Sequence, residues 1–225
     1  METEAFLRLK DGRHLQVALD VPDRQLATKI AMVAGKLKVS VVEAGTPLIK
    51  RYGTKIIKEL KNSAKESLIL ADMKSADVGD LEVRLAGEAG ADIVTVLGCA
   101  SNDTIQAAKE EAEKTGMLLE VDLINTEDPL QRMHELQKLG IKAFSFHVPI
   151  DVQKRRSTSA ELLLDRLKML GKSESVISVA GGLNPDKIKA FKGTNVNVFV
   201  VGSYLTSSVE YAERINSVLN VIKEL

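Results

Sequence analysis

The chain has 225 residues, 44% of them hydrophobic and 4% aromatic, with Lys+Arg and Asp+Glu both at 31 and no tryptophan. The charge balance excludes the basic surface of a nucleic-acid binder, the scarcity of aromatic residues excludes a base-stacking platform, and no segment reaches the ~18 apolar residues of a membrane span. Cys99 is the single cysteine, which excludes an internal disulfide and a cysteine-based zinc site and points to a reducing compartment.

The first residues, Met1-Glu2-Thr3-Glu4, are acidic and unlike a signal peptide, so a soluble, cytoplasmic protein is expected. Residues 1–14 read as an N-terminal extension in which Phe6, Leu7 and Leu9 alternate with polar residues. They are expected to cover the lower end of the main domain or to join a neighbouring subunit. From residue 15 to 225 the pattern switches regularly between short apolar runs and longer amphipathic stretches. The runs are Leu15–Leu19, Val39–Glu43, Leu68–Asp72, Ile93–Leu97, Leu118–Leu123, Ala143–His147, Val176–Ala180 and Val198–Val201. They are short and rich in Val, Ile and Leu, the pattern of parallel strands buried on both faces. Between them, Pro22-Asp23, Ser101-Asn102-Asp103, Asp128-Pro129 and Pro185-Asp186 supply helix starts, and Gly116, Gly140 and Gly171 supply helix stops. Strands recurring every ~25–30 residues, with no linker between units, predict one α/β domain, a single (β/α)8 TIM barrel. An open doubly wound sheet is the alternative.

Active sites of such barrels lie at the carboxyl ends of the strands. Here the first strand ends in Asp20, the second in Glu43, the third in Asp72 and Lys74, the fifth carries Asp122 and the sixth ends in His147. Buried charges at equivalent positions are costly unless they pair or bind a ligand. Glu43 and Asp72 are oxygen donors suited to Mg²⁺. Lys74 can add positive charge to a developing oxyanion, and His147 can exchange protons near neutral pH. His14 and His134 are expected at the surface, and Cys99 in inert packing. The seventh and eighth strands run instead into Gly181-Gly182 and Gly202-Ser203. Glycine loops at the last two units form the usual phosphate clamp of this barrel. A phosphate clamp facing a metal, a lysine and a histidine suits a phosphorylated sugar reacting through an enediolate. Proton abstraction, aldol cleavage and decarboxylation all pass through such a species.

The run Ala71-Asp72-Met73-Lys74-Ser75-Ala76-Asp77 resembles the signature of the orotidine monophosphate decarboxylase superfamily. Val42-Glu43-Ala44-Gly45-Thr46-Pro47-Leu48-Ile49, Ala91 through Gly98 and Val179-Ala180-Gly181-Gly182 are similar to its branch of hexulose-6-phosphate synthases and 3-keto-gulonate-6-phosphate decarboxylases. The likeness extends from about Leu15 to Thr206. It implies a homodimer with sites completed across the interface, and Mg²⁺ held by Glu43 and Asp72 beside an enediolate. It further implies an oxyanion-stabilising Lys74, an Asp77 that reaches the partner's site, substrate contacts from Asp20 and Asp122, and His147 as acid/base. Ile150 stands where the decarboxylases carry an arginine, and Asp122 where they tend to carry glutamate. The resemblance therefore favours the synthase branch, the condensation of formaldehyde with ribulose 5-phosphate and its reversal. The sister decarboxylase and a non-catalytic sugar-phosphate-binding barrel are the competing readings. The chain departs from the branch at Val148-Pro149, at Gly202-Ser203-Tyr204 and at Lys154-Arg155-Arg156, a run read as a solvated charge cluster or as facing the phosphate or the partner.

Overall fold

The computed structural model describes residues 2–225. Eight parallel strands close into a barrel in sequence order: β1 (His14–Leu19), β2 (Val41–Ala44), β3 (Leu68–Ser75), β4 (Ile93–Leu97), β5 (Leu118–Asp122), β6 (Ala143–His147), β7 (Val176–Ala180) and β8 (Val198–Val201), with β8 pairing back onto β1. The fold is the single (β/α)8 barrel that the strand rhythm predicts.

Side chains alternate between two faces along each strand. On the outer face Leu15, Val17 and Leu19, Val42 and Ala44, Ile69 and Ala71, and Val94 and Val96 pack under the surrounding helices in one continuous core. Those helices begin largely where capping residues stand. Asp23, Ser101 and Asp128 accept hydrogen bonds from the first free amides of Arg24–Lys36, Asn102–Thr115 and Pro129–Gln137, and Asn184 does so for Pro185–Lys189.

The barrel interior changes character from bottom to top. Its lower layer is apolar: Val41, Leu68, Ile93, Leu118, Val176 and Val198 cluster with Ala5, Phe6 and Leu9. The last three belong to a short helix, Glu4–Leu9, whose start is capped by Thr3 Oγ1. Phe6 and Leu9 are three residues apart, so one helical face plugs the barrel while Leu7 points outward, 49% exposed. Above this layer the interior turns polar, toward the carboxyl ends of the strands.

Four local readings need correction. β2 begins at Val41 rather than Val39, and β3 runs on to Ser75 rather than stopping at Asp72. Cys99 is exposed, because β4 ends at Leu97 and the chain turns outward at Gly98. His14 is half-buried at the start of β1, its ring nitrogens bonded to Ser40 Oγ and Asp11 O, both at 2.9 Å. His134 is exposed on its helix. Among the described residues, no helix is long and apolar enough to cross a membrane.

Candidate functional site

Alternation within the barrel explains which polar groups meet. Asp20, Glu43, Asp72, Thr95, Asp122, Ser145 and His147 all face inward at or near carboxyl ends of strands, and they line one cavity of about 610 Å³. Gly181, Gly182, Gly202 and Ser203, after β7 and β8, line the same cavity. All the sequence-predicted site residues except Asp77 therefore converge on one place.

The centre of this site is a chain of charged hydrogen bonds. Lys74 Nζ donates to Asp72 Oδ2 at 2.6 Å and to Asp122 Oδ2 at 3.1 Å, and Asp122 Oδ2 is also 3.1 Å from His147 Nδ1. The geometry is set up by a break in β3. Register slips between Ala71 and Ser75, and Lys74 takes a left-handed backbone, φ 49°. That conformation costs a non-glycine residue about 1–2 kcal/mol. It is held by the Lys74 amide donating to Thr95 Oγ1 at 3.0 Å. Asp72 is fixed from two further sides, by Thr46 Oγ1 on Oδ2 at 2.7 Å and by Thr95 Oγ1 on Oδ1 at 2.9 Å.

A second cluster shares Asp72. One carboxylate oxygen each from Asp20, Glu43 and Asp72 lies within 4.8 Å of the other two. Glu43 is 6% exposed and receives a 2.7 Å hydrogen bond from Gln16 Nε2. Burial first, and then the charges of Asp72 and Asp20, push the Glu43 carboxyl well above its ordinary range. Burial and Asp72 likewise raise Asp20. Such crowding is relieved by a cation. Three hard oxygen donors, with neither sulfur nor imidazole among them, fit a divalent ion of the Mg²⁺ type.

The remaining shifts favour ionised partners. For Lys74, burial alone would lower the pKa, but Asp72, Asp122 and Glu43 outweigh it and hold the ammonium above its usual range. For Asp122, burial alone would raise the pKa, but the hydrogen bond and charge of His147 and the charge of Lys74 bring it below the carboxylate norm. An ionised Asp122 can only accept, so His147 donates from Nδ1 and keeps Nε2 free.

The glycine loops are shaped for backbone approach to an anion. Gly181 and Gly182 have φ of 130° and 64°, and a Cβ on Gly182 would come within 2.6 Å of Gln153 Oε1. Gln153 is itself held by Nε2 donating to Val148 O at 2.7 Å. The helix Ile150–Arg156 carries Lys154, Arg155 and Arg156 as an exposed cluster outside the cavity lining, whereas Ile150 lines the mouth. Asp77 is exposed and lies outside its own chain's cavity, with Oδ1 accepting from the Val78 amide at 2.8 Å. Sequence reasoning missed Gln16, Thr46, Thr95, Glu120 and Ser178. Four of these are strand residues, polar side chains within otherwise apolar strands, whose face is not readable until the register is known.

The profile of the Orotidine 5'-phosphate decarboxylase / HUMPS family matches residues 13–217. Among curated proteins, the Bifunctional enzyme Fae/Hps of Archaeoglobus fulgidus is 34% identical over 203 residues, covering 89% of this chain and 50% of that protein. The chain thus spans about half the length of the curated relatives it matches. A solved 3-hexulose-6-phosphate synthase superposes with a TM-score of 0.87 at 33% identity, covering 92% of this chain and 99% of the other. A solved 3-keto-L-gulonate-6-phosphate decarboxylase from Vibrio cholerae superposes with a TM-score of 0.83 at 27% identity, over 95% and 99% of the two chains.

Proposed function

The chain belongs to the orotidine 5'-phosphate decarboxylase / HUMPS family, and from that membership and its site geometry we propose that it is a hexulose-6-phosphate synthase-type aldehyde-lyase. It joins formaldehyde to ribulose 5-phosphate by aldol addition and catalyses the reverse cleavage. The observation that carries this reading is the hydrogen-bonded chain His147–Asp122–Lys74–Asp72 sharing one cavity with two glycine loops.

In this reading Gly181, Gly182, Gly202 and Ser203 bind the phosphate, and Asp20 and Asp122 contact sugar hydroxyls. Glu43 and Asp72 would hold Mg²⁺, which when bound supplies positive charge to oxygens at the sugar's reacting end. His147 Nε2 takes a proton from C1, beside the C2 carbonyl. The Lys74 ammonium, already pinned between two carboxylates, offsets the negative charge that builds on the enediolate oxygens. C1 then bonds to the formaldehyde carbon, the carbonyl electron pair moves to oxygen, and His147 returns the proton there. No net proton is gained or lost.

Ile150 favours the synthase over the sister decarboxylase. An apolar side chain at the cavity mouth offers nothing to a substrate carboxylate or to the intermediate left after CO₂ departs. Asp77 is given its role by a homodimer. It precedes an exposed apolar stripe, Val78 at 52%, Leu81 at 46% and Leu85 at 40%, and pairing through that stripe carries Asp77 toward the partner's cavity. The deciding experiment is formaldehyde consumption with ribulose 5-phosphate, with added Mg²⁺ and with EDTA. Mg²⁺-dependent condensation is expected. CO₂ release from a keto-gulonate phosphate without condensation would move the protein to the decarboxylase branch, and phosphate binding without either activity would make it a binding barrel.

A further inference from the structure

One buried ionisable group has no task in that scheme. Glu120 is 2% exposed, lies on β5 two residues before Asp122, and lines the floor of the same cavity. Its side chain crosses beneath β6 to β7, where Ser178 Oγ donates to Oε2 at 3.0 Å. That hydroxyl is its one hydrogen-bond partner among the described residues. No cation touches it, because Lys74 Nζ is engaged by Asp72 and Asp122.

An ionised carboxylate buried without a cation is costly, whereas the neutral acid is not. The surroundings enforce this. Asp122 on its own strand and Asp72 on β3 are the anionic neighbours. Lys74 on β3 is the cation that acts on it and β6 presents the His147 imidazole, while β4 and β7 present the hydroxyls of Thr95 and Ser178. Burial, opposed by the Ser178 bond and reinforced by Asp122 and Asp72, pushes Glu120 up to about 7.

Resting on the aldolase reading above, we propose that Glu120 is a positioning residue for the reaction: as a neutral acid it leaves Asp122 the sole anion shared by Lys74 and His147, and on ionising it competes for both. The added anion holds the His147 proton more tightly and draws Lys74 away from the substrate oxygens. Glu120 and Asp122 are about 7 Å apart along the strand, and a unit charge added beside Asp122, partly screened, is expected to slow turnover about tenfold.

Two measurements test this on the intact enzyme. The first is infrared difference spectroscopy without substrate, following the carbonyl stretch of a protonated carboxylic acid from pH 6 to 8. Wild type is expected to lose this band near neutrality, Glu120→Gln to lack the step, and Ser178→Ala to show it at higher pH, since Ser178 favours the ionised form. The second is the pH profile of kcat, in which an alkaline fall of about tenfold should vanish in Glu120→Gln and move upward in Ser178→Ala, with little change in KM. An infrared step that persists in Glu120→Gln, or a kcat profile unmoved in both variants, overturns the proposal. If formaldehyde condensation is absent altogether, the aldolase reading fails, yet the infrared step still decides whether Glu120 holds the proton.

Discussion

Replacing Gly45 by alanine separates the packing of this site from its chemistry. Gly45 has φ −65° and ψ 152°, a conformation that any residue adopts. Were there room, Gly45→Ala would stabilise the protein by about 0.4–1 kcal/mol, through the lower entropy of the unfolded chain. There is no room. An added Cβ would overlap Asp20 Oδ1 and lie 2.9 Å from Leu19 O and 3.0 Å from Asp20 Cγ. Comfortable carbon contacts begin near ~3.5 Å, so the end of β1 must retreat by roughly half an ångström and the Asp20 carboxylate by more. Overpacking of this kind costs about 1–3 kcal/mol, which exceeds the entropic gain and leaves a net loss of about 1–2 kcal/mol. For a chain of this size that lowers Tm by about 2–8 °C. The larger effect is expected on turnover, because Asp20 is proposed to contact the substrate and misplacing such a group by ~1 Å costs about 100-fold. Thermal unfolding and steady-state condensation assays on the purified variant read both quantities. A Gly45→Ala protein more stable than wild type with full kcat would refute the claim that Gly45 exists to admit Asp20.

Asp72→Asn should cut turnover at least about 100-fold. It should also abolish the rise in Tm expected when Mg²⁺ is added to the wild type, since Asp72 serves both the carboxylate cluster and Lys74; retained Mg²⁺ stabilisation in a thermal-shift assay would remove Asp72 from the proposed metal site. Gly182→Ala places a Cβ 2.6 Å from Gln153 Oε1 at a φ of 64°, so KM for the phosphorylated sugar should rise about tenfold or more with kcat less affected, and an unchanged KM would take that loop out of the phosphate clamp. The cation-free protein should lose stability as pH rises. Glu120 moves from an ordinary 4.5 to about 7 on folding, so its contribution is fully present below pH ~4.5 and is lost through pH ~7, about 3 kcal/mol in all. Urea unfolding at pH 5 and pH 8 in EDTA should show that difference, and Glu120→Gln should reduce it.

The sequence made the barrel legible because parallel strands buried on both faces leave near-continuous runs such as Val176–Ala180. Charged residues ending those runs are conspicuous, and Asp20, Glu43, Asp72, Lys74, Asp122 and His147 stood out for that reason. The cavity floor was not legible. Gln16, Thr95 and Glu120, with Ser178 bonded to Glu120 below them, sit within strands, where a polar residue among apolar ones gives no sign of which face it takes until the register is known. Helix period, not alternation, governs Phe6 and Leu9, and the turn at Gly98 that exposes Cys99 depends on where β4 stops.

The least legible feature is also the one that most concerns function. Period-two alternation predicts Asp72 and Lys74 on one side of an extended strand. Their contact is in fact made across a register break with Lys74 at positive φ. Val78 and Asn125, two other non-glycine residues at positive φ, also follow carboxyl ends of strands, at 45° and 58°. Strain of about 1–2 kcal/mol per such residue persists only where the surroundings over-determine the conformation. At Lys74 the determinants are the Thr95 hydroxyl behind the amide and two carboxylates in front of the ammonium. Those three groups come from strands β3, β4 and β5, so the closed barrel, rather than the local segment, holds the lysine where charge would develop. Local rules should fail at such a place, since a site preorganised by distant strands has no reason to follow the preferences of its own sequence.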